Sequence, residues 1–255
     1  MYDIAMDEPT EEWVGCWAAA GNHLEIRGGS KISWLKCDLR PPFLEHLSFR
    51  MGNQLFFVRI EDADRRVPAP GVEQGLRAIA LECRGHACRL PMRLRAGSWA
   101  PAEPGWGLVD AATQRLIDPV ALITDEKLEM TDWEVHDFAI QIVKQYEIDK
   151  EGRTLMSSNP NPRVDPSIWF ADEEGPAWIV VRAARCPAPY PSPPDNLKEI
   201  ARSCARGSHR GYFAPMIVAH ADQPTDVGPG DHALRLIRGE AMVVAFSGMR
   251  PLSEI

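Results

Sequence analysis

Cys83, His86 and Cys88 carry the side chains, and part of the spacing, of a zinc site. Thiolate and imidazole are good zinc ligands, but a structural site needs four of them, usually as two well-spaced pairs. The other cysteines, Cys16, Cys37, Cys186 and Cys204, are scattered singly, so this trio lacks its second pair. Nucleophilic catalysis has less to draw on. Gly207-Ser208-His209-Arg210-Gly211 puts histidine where a nucleophile elbow needs serine. The sequence has no His-Glu-x-x-His pair, P-loop or dinucleotide fingerprint. Asp231-His232 is an isolated pair in a Pro/Gly/Asp stretch, expected to face solvent.

Two further groupings could support binding. Arg182, Arg185, Arg202, Arg206 and Arg210, with His209, form a basic cluster in an otherwise acidic chain. Arginine forks suit phosphate, so the cluster is a candidate nucleic-acid surface. Complementing a helix dipole would account for Arg202 and Arg206 alone, but not for Arg182 or Arg185. Of the eight tryptophans, Trp99 and Trp106 lie in the Pro/Gly-rich stretch Ala96 to Gly107. A packed core is least expected there, so these two are the candidate protein-recognition residues.

The 255 residues carry a formal charge of −8, with 45% apolar and 25% charged residues. That is ordinary globular composition, enough for one large domain or two. The negative balance disfavours loose nucleic-acid binding, which rests on lysine and arginine. Met1 to Trp13 holds five acids and no basic residue, unlike the positive start and apolar run of a secretory signal. No apolar stretch approaches membrane-helix length, and the cysteines are too sparse for a disulfide scaffold. A cytoplasmic protein without membrane contact is the expectation.

The elements that must position these residues follow from periodicity. Residues 1–120 read as β-rich with one helix. Strands are expected at His23 to Ile26 and Lys31 to Leu39, around Gly28-Gly29. A hairpin is expected from His46 to Met51 and Gln54 to Glu61, around Gly52-Asn53. Leu55 to Val58 is a run suited to a strand covered on both faces, and Val72 to Cys83 has helical spacing. Residues 121–255 alternate more regularly. Thr131 and Glu134 make a capping-box pattern before a helix. A strand at Thr154 to Ser157, a hairpin of Ile168 to Ala171 with Trp178 to Ala183, a helix around Ile200, and strands at Tyr212 to His220 and Glu240 to Phe246 follow. The whole is α+β, with mixed sheet and flanking helices.

This order, with Val164-Asp165-Pro166 before one strand and Trp178-Ile-Val-Val-Arg182 in the next, resembles the PD-(D/E)XK, or restriction-endonuclease-like, superfamily over Thr131 to Pro251. The resemblance implies metal-assisted phosphodiester hydrolysis, in which two acids hold Mg²⁺ and a lysine two residues beyond the second helps position the nucleophile and stabilise the transition state. Asp165 matches the first acid. The acid-x-lysine position falls on Val180-Val181-Arg182, so a carboxylate is missing and arginine replaces lysine. Glu134 matches the helix glutamate that sometimes adds a ligand, and Glu173 and Glu174 lie in the preceding turn. The sequence therefore points to a non-catalytic interaction protein on a degenerate nuclease-like fold, needing no cofactor. Its acidity would suit a basic partner, such as a nucleic-acid-processing protein or a toxin. The alternatives are a divergent Mg²⁺-dependent nuclease using Asp165, and a nucleic-acid-binding module without cleavage.

Overall fold

Trp13, Cys16, Trp17, Ala20 and Leu24 recur at three- and four-residue steps, and all are buried. They form one face of helix α1 (Glu11–Gly28), opened by Thr10, whose hydroxyl accepts a hydrogen bond from the Trp13 N–H at 3.2 Å. The strand expected at His23 to Ile26 is thus the last part of a helix. Gly29, with φ +51°, ends that helix rather than turning a hairpin. The computed structural model describes residues 9–37, 46–70, 73–223 and 233–254. These fall into two units, Ala5–Leu128 and Glu129–Ile255.

In the first unit, α1 is followed by β1 (Ile32–Lys36), β2 (Leu47–Met51), β3 (Gln54–Asp62), α2 (Glu73–Glu82), β4 (His86–Arg95), β5 (Ser98–Pro101) and β6 (Val109–Asp110). The Gly52-Asn53 hairpin forms as expected, with Gly52 at φ +58°. The sheet order is β1-β2-β3-β4-β5, with β6 also on β4. β3 and β4 run parallel, joined through α2, and every other pairing is antiparallel. Leu55 to Val58 is buried on both faces, as its unbroken apolar run requires. Phe56, Val58 and Ile60 pack with Leu90, Met92 and the buried side chains of α1. Further along β3 and β4 the alternate residues, Arg59, Glu61, Arg89 and Arg93, belong to the opposite face.

The second unit contains α3 (Asp132–Val143), a π-helical turn over Lys144–Asp149, β7 (Thr154–Ser158), β8 (Ile168–Asp172), β9 (Gly175–Arg185), α4 (Leu197–Cys204), β10 (Gly211–His220), β11 (Met242–Phe246) and β12 (Arg250–Pro251). The Thr131–Glu134 capping box is present at the start of α3. The sheet order is β11-β10-β9-β8-β7, with β12 on β10. Only β9 and β10 are parallel. Successive residues of β9 serve opposite cores. Trp178 and Val180 pack with Ile200, Cys204 and Phe213, while Ile179 and Val181 pack with Val135 and Ala139 of α3. The fold is α+β, with a mixed six-stranded sheet in each unit.

Parallel pairing of β9 with β10 brings Gly211 opposite Trp178. A Cβ on Gly211 would overlap the indole and lie 2.7 Å from Leu252 Cδ1. Gly211→Ala should therefore lower the stability of the second unit by about 1–3 kcal/mol in urea denaturation. Gly21 lies in α1 with nothing within 4 Å of an added Cβ. Gly21→Ala should stabilise the first unit by about 0.5–1 kcal/mol.

Candidate functional site

Asp165 precedes β8, and Ser167 extends the β8–β9 ladder toward it. The Ser167 N–H donates to the Ile179 carbonyl at 2.9 Å, and its Oγ accepts from the Val181 N–H at 3.1 Å. Continued in register, this antiparallel ladder sets Asp165 across from Arg182. The two side chains meet fork to fork, with Arg182 Nη1 to Oδ1 at 2.9 Å and Nη2 to Oδ2 at 2.6 Å. Arg182 Nη1 also donates to the Val181 carbonyl at 2.8 Å. The carboxylate is 11% exposed and the guanidinium 23%, so the pair is largely shielded from solvent.

Mg²⁺ needs several oxygen ligands at near-octahedral angles. Both oxygens of Asp165 are engaged by a cation that keeps its proton. Val180, at the position of the second acid, is fully buried against α4 and has no donor atom. Glu134 is committed elsewhere. Its Oε2 accepts from the Thr131 N–H at 2.8 Å, and it takes Arg238 bidentately, Nε to Oε1 and Nη2 to Oε2, each at 2.8 Å. Arg238 is 1% exposed, which makes this a buried ion pair. Asp172 holds Arg210 through two bonds of 2.7 Å, which keep its carboxyl below the usual aspartate range despite desolvation. Glu174 adds a 3.2 Å contact to the same arginine, and Glu173 is exposed. Among the described residues no three His, Cys, Asp or Glu side chains converge as a metal set. The groups present do not fit Mg²⁺.

The basic cluster is divided in the same way. Arg182 and Arg210 are paired as above, and Arg185 binds the Met130 carbonyl at 2.7 Å and Asp132 at 3.1 Å. Only Arg202 and Arg206 of the expected five are exposed. Of the five arginines expected at a nucleic-acid surface, three join segments of their own unit.

The tryptophan expectation also changes. Trp106 is buried in the first unit's core, and its carbonyl contacts His23 Nε2 at 3.1 Å. Trp99 is half-buried against that core, its ring 3.9 Å from where a Gly15 Cβ would lie. Gly107, at φ +70°, lets the Pro/Gly-rich segment return over the sheet, where a Cβ would strike Leu90 and Pro101. Neither ring is a protruding anchor. Cys83 and Cys88 are buried, and burial pushes the Cys88 thiol up, away from the thiolate that zinc requires. His86 stacks on Phe56 at 5.0 Å and meets Gln54 Oε1 at 3.1 Å. These three candidate ligands pack in the unit, and among the described residues they form no metal set. Asp231-His232 lies outside the described residues.

Sequence reasoning passed over a cleft of about 770 Å³ in the first unit. Arg59 and Arg89 are register partners on β3 and β4, and Glu61 lies between them, 3.2 Å from Arg59 Nε and 3.6 Å from Arg89 Nη1. The signal was present in Arg59-x-Glu61 and Arg89-x-Pro91-x-Arg93, charged residues at alternate strand positions interrupted only by Pro91. Finding it required knowing that the two strands are neighbours.

His136, on α3, is 4% exposed, and its Nε2 has no hydrogen-bond partner among the described residues. Burial first, then the Arg182 charge, hold its pKa at about 4, against smaller opposing effects of Asp137 and Asp165. His46 is likewise buried and held at about 3, by burial and by Lys36. Both histidines are neutral when folded and bind a proton when unfolded below their ordinary pKa of about 6.5. Stability should therefore fall as pH drops from about 6.5 toward 4. His136→Phe should flatten the slope of the second unit, and His46→Phe that of the first, in urea denaturation across this range.

A family profile described as a domain of unknown function (DUF8840) matches residues 133–252. The match runs from α3 to just beyond β12 and includes Glu134, Asp165, Arg182, Arg210 and Arg238, but none of the cleft residues of the first unit. No curated protein and no solved structure matches the chain.

Proposed function

We propose that this is a non-catalytic interaction protein, in which the second unit serves as a scaffold and the nuclease-like chemistry is lost. One observation carries this reading. Asp165 and Glu134, the acids that could hold a metal there, are each bound bidentately by an arginine of the same unit. Removing arginine from either acid would leave a shielded charge unmatched, at a cost of about 3 kcal/mol or more. A metal site would have to meet that cost at both acids before gaining a ligand. Residues 129–255 hold 18 acidic and 13 basic side chains. Arg182, Arg210 and Arg238 are each matched by an acid of the same unit, so the remaining side chains keep this negative balance, which favours a basic protein partner.

The discriminating residue is Asp165. A nuclease would lose cleavage on Asp165→Asn and keep its fold, since asparagine has nearly the same shape. Here the same substitution should cost about 1–3 kcal/mol of stability, through the lost charge-assisted bonds. Neither variant nor wild type should cleave DNA or RNA with Mg²⁺ or Mn²⁺. Cleavage by wild type that disappears in Asp165→Asn would overturn the reading. Purification from the native host should recover a basic protein whose association weakens as salt is raised.

A further inference from the structure

The first unit contains a charge arrangement that the second unit avoids. Arg59 and Arg89 are paired in register on adjacent parallel strands, so their side chains leave the sheet side by side. Like charges so placed repel unless something negative lies between them. Glu61 is the sole carboxylate shown between them, and it serves both. Its contact with Arg89, at 3.6 Å, is too long for a hydrogen bond. Arg89 Nε is buried with no hydrogen-bond partner among the described residues. An oriented donor shielded from water and given no acceptor is costly, and an acceptor brought in from outside would remove that cost.

The surroundings suit a ligand larger than a bare ion. The cleft is of the size that takes small organic molecules. Its walls include Val67, Pro91, Val109 and Leu116, which offer apolar contact beside the charged floor. Four acids line it, but two are committed elsewhere. The Asp62 carboxylate accepts from the N–H groups of Asp64, Arg66 and Val67, and Glu73 pairs with Arg77 at 2.7 Å. Glu103 remains beside the shared Glu61, against Arg59, Arg65, Arg89 and Arg93. Arg93 is drawn to Asp64 at 3.2 Å. From residue 59 to residue 95 the chain has eight arginines and five acids, the reverse of its overall balance.

We propose that the cleft over β3 and β4 binds a small organic anion, whose carboxylate or phosphate group is held by Arg59 and Arg89. Guanidinium forks match both kinds of oxyanion. Glu61 is then a resident competitor as well as a spacer. It holds the two arginines in place when the cleft is empty, and the incoming oxyanion takes over part of its role.

The test is isothermal titration of the whole protein with inorganic phosphate, citrate and a nucleoside monophosphate. The inorganic ion measures charge alone, and the two organic probes separate carboxylate from phosphate. At least one organic anion should bind saturably at a single site, about tenfold tighter than inorganic phosphate or better. Arg89→Lys keeps the charge but loses the fork, and should weaken that binding about tenfold. Arg59→Lys should act in the same direction and provides the reading if the Arg89 variant does not fold. Glu61→Gln should tighten binding, a gain that general destabilisation cannot imitate. Arg27→Ala, at an exposed position of α1, should leave it unchanged. The proposal fails if neither organic anion outbinds inorganic phosphate, if Glu61→Gln weakens binding, or if Arg27→Ala loses as much as Arg89→Lys.

Discussion

A guanidinium on a largely covered sheet face keeps its proton and must be met by a carboxylate or pay for its desolvation. The second unit is arranged around this constraint. Asp165 with Arg182, Asp172 with Arg210 and Glu134 with Arg238 join residues 17, 38 and 104 positions apart. The first fixes the approach to β8 against β9, and the second fixes the start of β10 against the β8–β9 turn. The third holds the segment before β11 against the first turn of α3. Each strand of the sheet's centre is therefore tied by charge as well as by its ladder.

Such pairs add little net stability, because the Coulomb attraction is offset by the cost of drying both ions. Their effect is on alternatives. A one-residue slip of β8 along β9 would carry Asp165 away from Arg182 and turn every β8 side chain to the other face. The packing opposes that slip as well, since Ile168 and Phe170 are fully buried in the core shared with α3. The ion pair adds a second constraint on the same register. In this unit, the acid that resembled a metal ligand has a sufficient structural reason to be present.

Much of the fold could be read directly from local patterns. The capping box, the Gly52-Asn53 hairpin and the order of elements after Thr131 all depend on neighbours in sequence. Helix α1 was legible too, in the spacing of Trp13, Cys16, Trp17, Ala20 and Leu24, but Gly28-Gly29 suggested a turn and drew His23 to Ile26 into a strand. The site was less legible, because its meaning lies in long-range partners. Glu134 announces a helix cap, and nothing near it announces Arg238. Trp99 and Trp106 look exposed from the glycines and prolines around them, yet the fold buries Trp106 in the core and half-covers Trp99 on β5. Arginine clusters read from sequence suggest a surface; here three of five are spent on carboxylates brought in by the fold.

The same constraint, applied to the first unit, gives a different result. There two arginines share a carboxylate, and one buried nitrogen has no acceptor among the described residues. Net charge does not reveal this, because −8 spread over the chain sets only the distant field. At physiological salt that field is screened within about 8 Å. Inside the cleft the relevant charges are the few that line it, and screening by water is weakest where Arg89 Nε is shielded. An acidic protein can therefore present a local demand for negative charge. The demand arises because parallel pairing of β3 and β4 sets Arg59 beside Arg89 and leaves Glu61 to serve both.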